Sequence, residues 1–246
     1  MDILVCISKA PDTTSKISFT DNNTAFSNDG VQFIVNPYDE WYSLVRALEL
    51  KEAQGGKVTI LSVGGADYEP IMRKALAIGA DEAVRVDSET NDSSQVAGEI
   101  AHYITSNPFD LILCGKETID YNGSNVGGII AGILDIPFIS NASKLDVSGS
   151  TISAQRDKQG GIEILEASCP SVVSCAKGMA EQRIPNMRGI MAARSKPLTV
   201  VAASGAGTLT EVASFDLPPA KGGVKLIDPE NAGELINLLH TEAKVI

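Results

Sequence analysis

The residues best suited to chemistry lie in the run GKETIDYNGSNVGG, from Gly115 to Gly128. It follows the apolar run Leu111–Cys114 and opens a small-residue stretch of helical period, Ser124–Leu134. The order strand, glycine-rich turn, helix brings unpaired backbone N–H groups and the positive end of a helix dipole to one point. Gly123, Gly127 and Gly128 let the backbone approach an anion closely, and Ser124 and Asn125 add side-chain donors. The run reads either as a phosphate cradle or as a tight turn whose glycines serve packing.

Other chemistry has little support. The two histidines, His102 and His240, fall in predicted helices without metal-ligand spacing, and surface or capping roles suit them. The four cysteines, Cys6, Cys114, Cys169 and Cys175, form no C-x-x-C pair. They read as reduced, mostly buried thiols of the kind usual in the cytosol. No G-x-S-x-G elbow, P-loop or G-x-G-x-x-G fingerprint occurs. The chain therefore reads as a binder rather than a catalyst.

The elements that must position this run alternate regularly. Ile3–Ser8, Lys57–Val63, Ala83–Val86 and Leu111–Cys114 are continuous apolar runs of strand length. Between and after them lie helical patterns at Tyr38–Gln54, Tyr68–Ile78, Ser94–Ser106 and Ser124–Leu134. Pro37 suits the first turn of the first helix, with Asn36 as its cap. This β-α repetition predicts an α/β, doubly wound, mostly parallel sheet of Rossmann-like, adenine nucleotide α-hydrolase-like type. The strand exits at Ser8-Lys9, Gly64-Gly65 and Gly115-Lys116 would converge on one crevice beyond the carboxyl ends.

Three further features sit around that core. Ile17–Thr20 and Val31–Val35, separated by Asp29-Gly30, predict a small β-hairpin excursion. Beyond Pro137, Lys144–Val147 and Thr151–Gln155 predict a hairpin, with further strands at Ile162–Ala167 and Ser171–Cys175. Met179–Leu198 is basic and interrupted by Pro and Gly, with Arg183, Arg188, Arg194 and Lys196 close together. From Leu217 the chain reads as a polar, extended arm with one amphipathic helix, Asn231–His240. The expected division is a nucleotide-binding domain over 1–216 and a C-terminal arm over 217–246.

Composition narrows the partners. The 246 residues are 43% hydrophobic and 21% charged, an ordinary globular profile. The formal net charge of −11 and a pI near 4.6 disfavour nucleic acid and anionic membrane surfaces. No apolar stretch approaches the roughly 20 residues of a membrane-spanning helix. The start, MDILVCISKA, has no cationic region before its apolar run. A cytoplasmic location is expected.

Several motifs, in order, resemble the β (small) subunit of electron transfer flavoproteins over essentially the whole chain. They are Asn36-Pro37 after the first strand, RKALAIGAD at Arg73–Asp81, and GKETID at Gly115–Asp120 followed by Gly127 and Ala131-Gly132. The signature region Ala154–Ser174 follows, with Arg156, Gly160, Gly161, Glu163, Leu165, Pro170, Val172 and Val173 at the expected offsets. RIPNMRGIM at Arg183–Met191 completes the set.

The resemblance implies a heterodimer in which an α subunit carries most contacts to a redox-active FAD and this chain holds a structural AMP. Electrons would arrive from acyl-CoA-type dehydrogenases and leave to a quinone oxidoreductase or another acceptor, with no bond chemistry by side chains here. It carries the AMP site onto Cys6, Asn36, Pro37, Tyr38, Asp39, Val63, Gly115, Lys116, Glu117, Thr118, Ile119, Asp120, Tyr121, Asn122, Gly123, Ser124, Asn125 and Val126. Gly123 to Val126 would bracket the phosphate, and Asn36 to Asp39 with Val63 would contact the adenosine. Met187, Arg188, Ile190 and Met191 match the dehydrogenase recognition loop, with Met187 at the anchoring position and Arg188, Arg194 and Lys196 steering acidic partners. The arm from Leu217 matches the segment that wraps onto α.

One departure bears on the cofactor. AMP-binding members have N-Q-T where this chain has Ser124-Asn125-Val126. Electron-bifurcating relatives, which hold a second FAD in β, often have valine at the last position. They also have D-G-D-T upstream, where this chain has Asp120-Tyr121-Asn122-Gly123. AMP is the expectation, and a second FAD the alternative.

Overall fold

The computed structural model describes residues 1–37, 39–119 and 121–246. Its framework is a nine-stranded sheet. The central strand, β1 (Asp2–Cys6), lies between β6 (Lys57–Val63) and β8 (Leu111–Gly115), parallel to both. Outward from β6 come β7 (Glu82–Asp87) and β13 (Leu198–Ala202), also parallel. Outward from β8 come β12 (Ser171–Cys175) and β9 (Phe138–Ser148), parallel again. Then β10 (Thr151–Lys158) and β11 (Gly161–Ser168) extend the sheet antiparallel.

Helices cover both faces, as strands of uninterrupted apolar sequence require. On one face α1 (Asp39–Gln54), α2 (Glu69–Ile78) and α5 (Met187–Ala193) pack Leu44, Val45, Leu48, Met72, Leu76 and Ala193 over Ile3, Val5, Ile60 and Leu113. On the other, α3 (Ser93–Ser106) and α4 (Val126–Leu134) pack Ala97, Ile100, Ile104 and Ile130 over Leu4, Leu61 and Ile112. The period-two alternation along β1 thus splits its side chains between two cores. This is the doubly wound fold expected from the sequence. A last helix, α6 (Ala232–Leu238), follows β13 within the segment expected to form the arm.

The excursion differs from expectation. Ile17–Thr20 does not pair with Val31–Val35. Instead β3 (Phe19–Thr20) pairs with β4 (Ala25–Phe26), while β5 (Phe33–Val35) pairs with β2 (Lys9–Pro11). The cause is the turn between β3 and β4, where Asp21, Asn22 and Asn23 all take left-handed backbone angles (φ 53°, 58° and 66°). Asp and Asn tolerate that region better than other non-glycine residues, so the chain reverses there, ahead of Asp29-Gly30.

Besides β2 and β4, two elements near the basic segment have no counterpart in the sequence reading. β13 (LTVVA) directly follows the Pro-interrupted basic segment and forms one edge of the sheet beside β7. α5 lies inside that basic segment.

Candidate functional site

The sheet changes direction at β1. The chain steps from β1 to β6 and β7 on one side, then returns to β8 on the other. At such a switch point the flanking helices diverge and leave a crevice beyond the carboxyl ends of the strands. The parallel register pairs Val5 with Leu113, so Cys6 and Cys114 stand next to each other at its floor.

The amino end of α1 closes one wall. Glu40, buried in the first turn, accepts from the Ser8 N–H (2.8 Å) and Ser8 hydroxyl (2.6 Å), pinning the β1 exit to the helix. The Ser43 hydroxyl, one turn on, sits 2.8 Å from the Cys114 carbonyl and 3.0 Å from that of Asp39. Gly115 is needed where β8 ends: a Cβ there would lie 2.8 Å from Glu40 Cγ and 3.1 Å from its backbone nitrogen. Backbone thus runs directly against backbone at the crevice mouth.

Asn36 is the least expected feature of this wall. The sequence casts it as a helix cap, but its fully buried carboxamide does otherwise. Nδ2 donates to the Glu117 carbonyl at 2.6 Å, bridging from the α1 entrance to the loop after β8. Its Oδ1 is buried with no donor among the described residues. A buried acceptor left open costs about 1–3 kcal/mol, so such atoms usually await a partner.

The opposite wall is the loop between β8 and α4, of which residues 116–119 and 121–125 are described. The Thr118 N–H donates to the Gly123 carbonyl (3.1 Å), while the N–H groups of Asn122 and Gly123 return to the Thr118 carbonyl and hydroxyl (2.9 and 3.1 Å). Ser124 and Asn125 are exposed just before α4, and Asn125 supplies no side-chain cap. The first N–H groups of α4 therefore keep their capacity for an external acceptor. Gly127 and Gly128 serve packing rather than ligand approach: a Cβ on Gly127 would meet the Phe138 ring at 3.1 Å and Cys114 Cβ at 3.7 Å, and one on Gly128 would meet that ring at 3.5 Å. Of the two readings of the glycine run, packing holds for these two positions.

Charge in the crevice is mixed. Burial pushes the Asp39 carboxyl up, partly offset by the Lys116 ammonium and by the Glu117 N–H, 3.3 Å away. Lys116 pairs with Glu117 at 2.8 Å, which raises its own affinity for a proton. The neighbouring Cys6 and burial hold the Cys114 thiol far above the usual range, and burial pushes Cys175 to about 12.

Cys6, Asn36, Pro37, Asp39, Val63 and the segment from Gly115 to Ile119 thus surround the ends of the three central strands, with Tyr121 to Val126 forming the outer loop. Val63 shares the apolar cluster of Cys6 and Cys114, against which Val126 packs. Tyr38 and Asp120 lie outside the described residues. Sequence reading placed Ser8 at a strand exit but missed Glu40 and Arg85. Arg85, buried on β7, donates to the Gly64 carbonyl at 2.8 Å and so braces the turn after β6. The available signal was an acid in the first turn of α1, facing a strand exit that ends in serine.

The second predicted site is α5. Asn186 caps it, its Oδ1 accepting from the Gly189 N–H at 2.8 Å. Gly189 presses on α2: a Cβ there would lie 2.3 Å from the Ala77 carbonyl oxygen. Arg73 ties the far end down through the carbonyls of Ala193 and Lys196 (2.8 and 2.7 Å). Met187 and Met191 project into solvent, 73% and 68% exposed, with Ile190 and Arg188 beside them. Lys196 corrects the expectation of a steering charge. Its ammonium donates to the Leu76 and Ala80 carbonyls (2.9 and 2.6 Å), capping α2, and burial lowers its affinity for a proton. Arg188 and Arg194 remain exposed.

Fold and site together define a doubly wound α/β protein with polar strand exits gathered at its switch point and a separate helix bearing exposed apolar side chains on one flank. Residues 24–206 match the family model of the electron transfer flavoprotein domain. The chain is 36% identical over 260 residues to the electron transfer flavoprotein subunit beta of Bacillus subtilis, covering 100% of both chains. It is 34% identical to that of Syntrophomonas wolfei (93% of this chain, 90% of the relative). It is also 29% identical to the acryloyl-CoA reductase electron transfer subunit gamma of Anaerotignum propionicum (97% and 98%). The chain belongs to the electron transfer flavoprotein family, as a β subunit. Its role is in electron transfer, and membership implies an α-subunit partner. Among the described residues no helix is long and apolar enough to cross a membrane.

Proposed function

We propose that this chain holds a structural AMP in the crevice between β1 and β8 while an FAD-bearing α subunit carries the electrons. The observation that carries the reading is Asn36 Oδ1, a fully buried acceptor with no donor among the described residues, at the mouth of a switch-point crevice. An adenosine offers N–H and O–H donors to such an atom, and the start of α4 offers N–H groups to a phosphate. In this reading Asn36, Pro37, Tyr38, Asp39 and Val63 take the adenosine, and Gly123, Ser124, Asn125 and Val126 bracket the phosphate. Side chains of this chain make and break no bonds; they fix a nucleotide that ties the β1 and β8 exits together.

The exposed Met187, Arg188, Ile190 and Met191 receive acyl-CoA-type dehydrogenases, and a quinone oxidoreductase or similar acceptor takes the electrons in a cytoplasmic setting. The name of the Anaerotignum relative, which links such a subunit to an acryloyl-CoA reductase, supports acyl-CoA enzymes as the class of redox partner. The arm from Leu217 to Ile246 binds α; many of its apolar side chains, Leu226 and Ile236 among them, are exposed. Val126 favours a second reading, in which this crevice holds its own FAD. Mass spectrometry of the small molecules released from denatured, co-expressed heterodimer tests both. One AMP and one FAD per heterodimer is expected; two FAD and no AMP would overturn the AMP reading.

A further inference from the structure

Downstream of β13 the backbone enters no helix or strand until Pro229, yet its first part is fastened to the body with unusual density. Glu99, 1% exposed on α3, accepts from three successive N–H groups: Ser204 (2.6 Å), Gly205 (3.0 Å) and Ala206 (3.0 Å). Asp92, 4% exposed, caps α3 through Ser94 (2.8 Å) and also accepts from the N–H groups of Leu209 and Thr210 (the latter 3.0 Å). Between them the Thr208 hydroxyl sits 2.8 Å from Gln95 Oε1. Gly98 completes the stripe, since a Cβ there would lie 2.8 Å from Ala206 Cβ. Positions 92, 95, 98 and 99 share one helix face, so this face of α3 is given over to a peptide backbone.

A second fastening lies farther along. Phe215 stacks on Phe19 of β3, with ring centroids 5.0 Å apart and planes 8° apart, and its N–H donates to the Asn23 carbonyl at 2.7 Å. Asn23 belongs to the left-handed turn that gives the β3–β4 excursion its shape. Two buried carboxylates that accept chiefly from backbone N–H groups, with the Ser204 and Thr210 side chains adding to them, mark a built site, because a carboxylate withdrawn from water must find donors.

We propose that the α3 stripe and the β3–β4 hairpin form a two-point clamp that seats residues 204–215 on the body of the full chain in the absence of a partner, and so sets where the arm departs toward the α subunit. The second half rests on the partner reading above. The gain is preorganisation: a segment already ordered does not have to be ordered during association.

The test is hydrogen exchange by mass spectrometry on the full chain, wild type against Glu99→Gln, Gly98→Val and Phe19→Ala, followed by association kinetics with purified α subunit. Glu99→Gln keeps shape but turns one acceptor into a donor facing N–H groups, Gly98→Val pushes Ala206 off the helix, and Phe19→Ala leaves both cores intact. The expected result is exchange over Ser204–Thr210 at least about tenfold faster in Glu99→Gln and Gly98→Val, and faster around Phe215 in Phe19→Ala. Association should slow about threefold or more in all three. Unprotected amides at 204–210 in the wild type, or protection unchanged in both α3 variants, would overturn the clamp. A loosened clamp with unchanged association would overturn its role in assembly. Wild-type chain that binds no α subunit would overturn that role together with the partner reading, while the exchange data still decide the clamp.

Discussion

Replacing Asn36 with leucine separates a ligand-binding role from a structural one. The two side chains have similar size and branching, so the fully buried site is refilled without a large cavity. Two effects on the nucleotide-free protein then oppose each other. The bond from Nδ2 to the Glu117 carbonyl is lost, a net contribution of about 0.5–1.5 kcal/mol. The open Oδ1 acceptor disappears as well, relieving a penalty of about 1–3 kcal/mol. Nucleotide-free stability should therefore lie between about 0.5 kcal/mol lost and about 2.5 kcal/mol gained, or from roughly 2 °C lower to roughly 10 °C higher in Tm. With AMP bound the effects no longer offset, because a nucleotide donor loses its acceptor inside the crevice. At about 1–3 kcal/mol this weakens AMP binding about five- to 150-fold. The assay is calorimetric titration of AMP into nucleotide-stripped heterodimer, with thermal melts of the stripped and loaded forms. Affinity within twofold of wild type, with Tm falling by more than about 8 °C in the stripped form, would show that Asn36 is a strut.

Four other outcomes are expected. Met187→Ala, at an exposed apolar position on α5, should slow flavin reduction by an acyl-CoA-type dehydrogenase about tenfold in stopped flow and leave nucleotide content unchanged. Gly189→Val forces a side chain into the Ala77 carbonyl, so α5 must lift from α2; a stability loss of about 1–3 kcal/mol by denaturant melt should accompany weakened dehydrogenase binding, with Met187 still present. Deleting Leu217–Ile246 should reduce co-elution with the α subunit on size exclusion, whereas unchanged co-elution would remove the arm from the interface. The last concerns pH. Backbone N–H groups of Thr210, Ser94 and Leu209 hold the Asp92 carboxyl at about 2, below the usual 3.8. A depressed carboxyl contributes its full stabilisation above its unfolded pKa and loses it as pH falls through the folded one. Pepsin cleavage near Leu209 should therefore begin only as pH drops from about 4 toward 2, and earlier in Asp92→Asn.

The parts of the fold readable in advance are those where hydrophobic period and chain punctuation agree. Lys57–Val63 and Ser171–Cys175 are apolar runs bounded by Gly or Pro, and both are strands over those residues. The switch-point crevice was legible because it follows from β-α alternation, whatever the side chains at its rim. The role of Asn36 was not, because its partner is the Glu117 carbonyl, 81 positions away, and a local rule for helix caps fits the same residue. Lys196 misled for a related reason. A lysine in a basic run is read as solvated, and only tertiary packing brings its ammonium to the end of α2. β13 escaped because five residues, LTVVA, just after a proline hold no period long enough to separate strand from loop. The hairpin slipped because Asp21-Asn22-Asn23 and Asp29-Gly30 are both turn signals, and the three left-handed residues of the first decide the reversal.

The two features proposed to face partners leave the sheet from opposite faces, and the doubly wound topology makes that possible. α5 is bound to α2 through Gly189, Arg73 and Lys196, on the face that α1 also covers. The segment 204–210, which leads into the arm, is bound to α3 through Asp92 and Glu99, on the face that α4 also covers. β13 lies between them in the chain and forms the sheet edge beside β7, so a few residues on either side of one edge strand carry the backbone from the first face to the second. In the proposed function the subunit keeps its α partner while exchanging dehydrogenases, and two surfaces on one face would compete for space. Placing the seam at β13 also keeps both away from the β1–β8 crevice near the middle of the sheet. A change at α5 should then leave the arm and the crevice unaltered, whereas a change in β13 should disturb both partner surfaces at once.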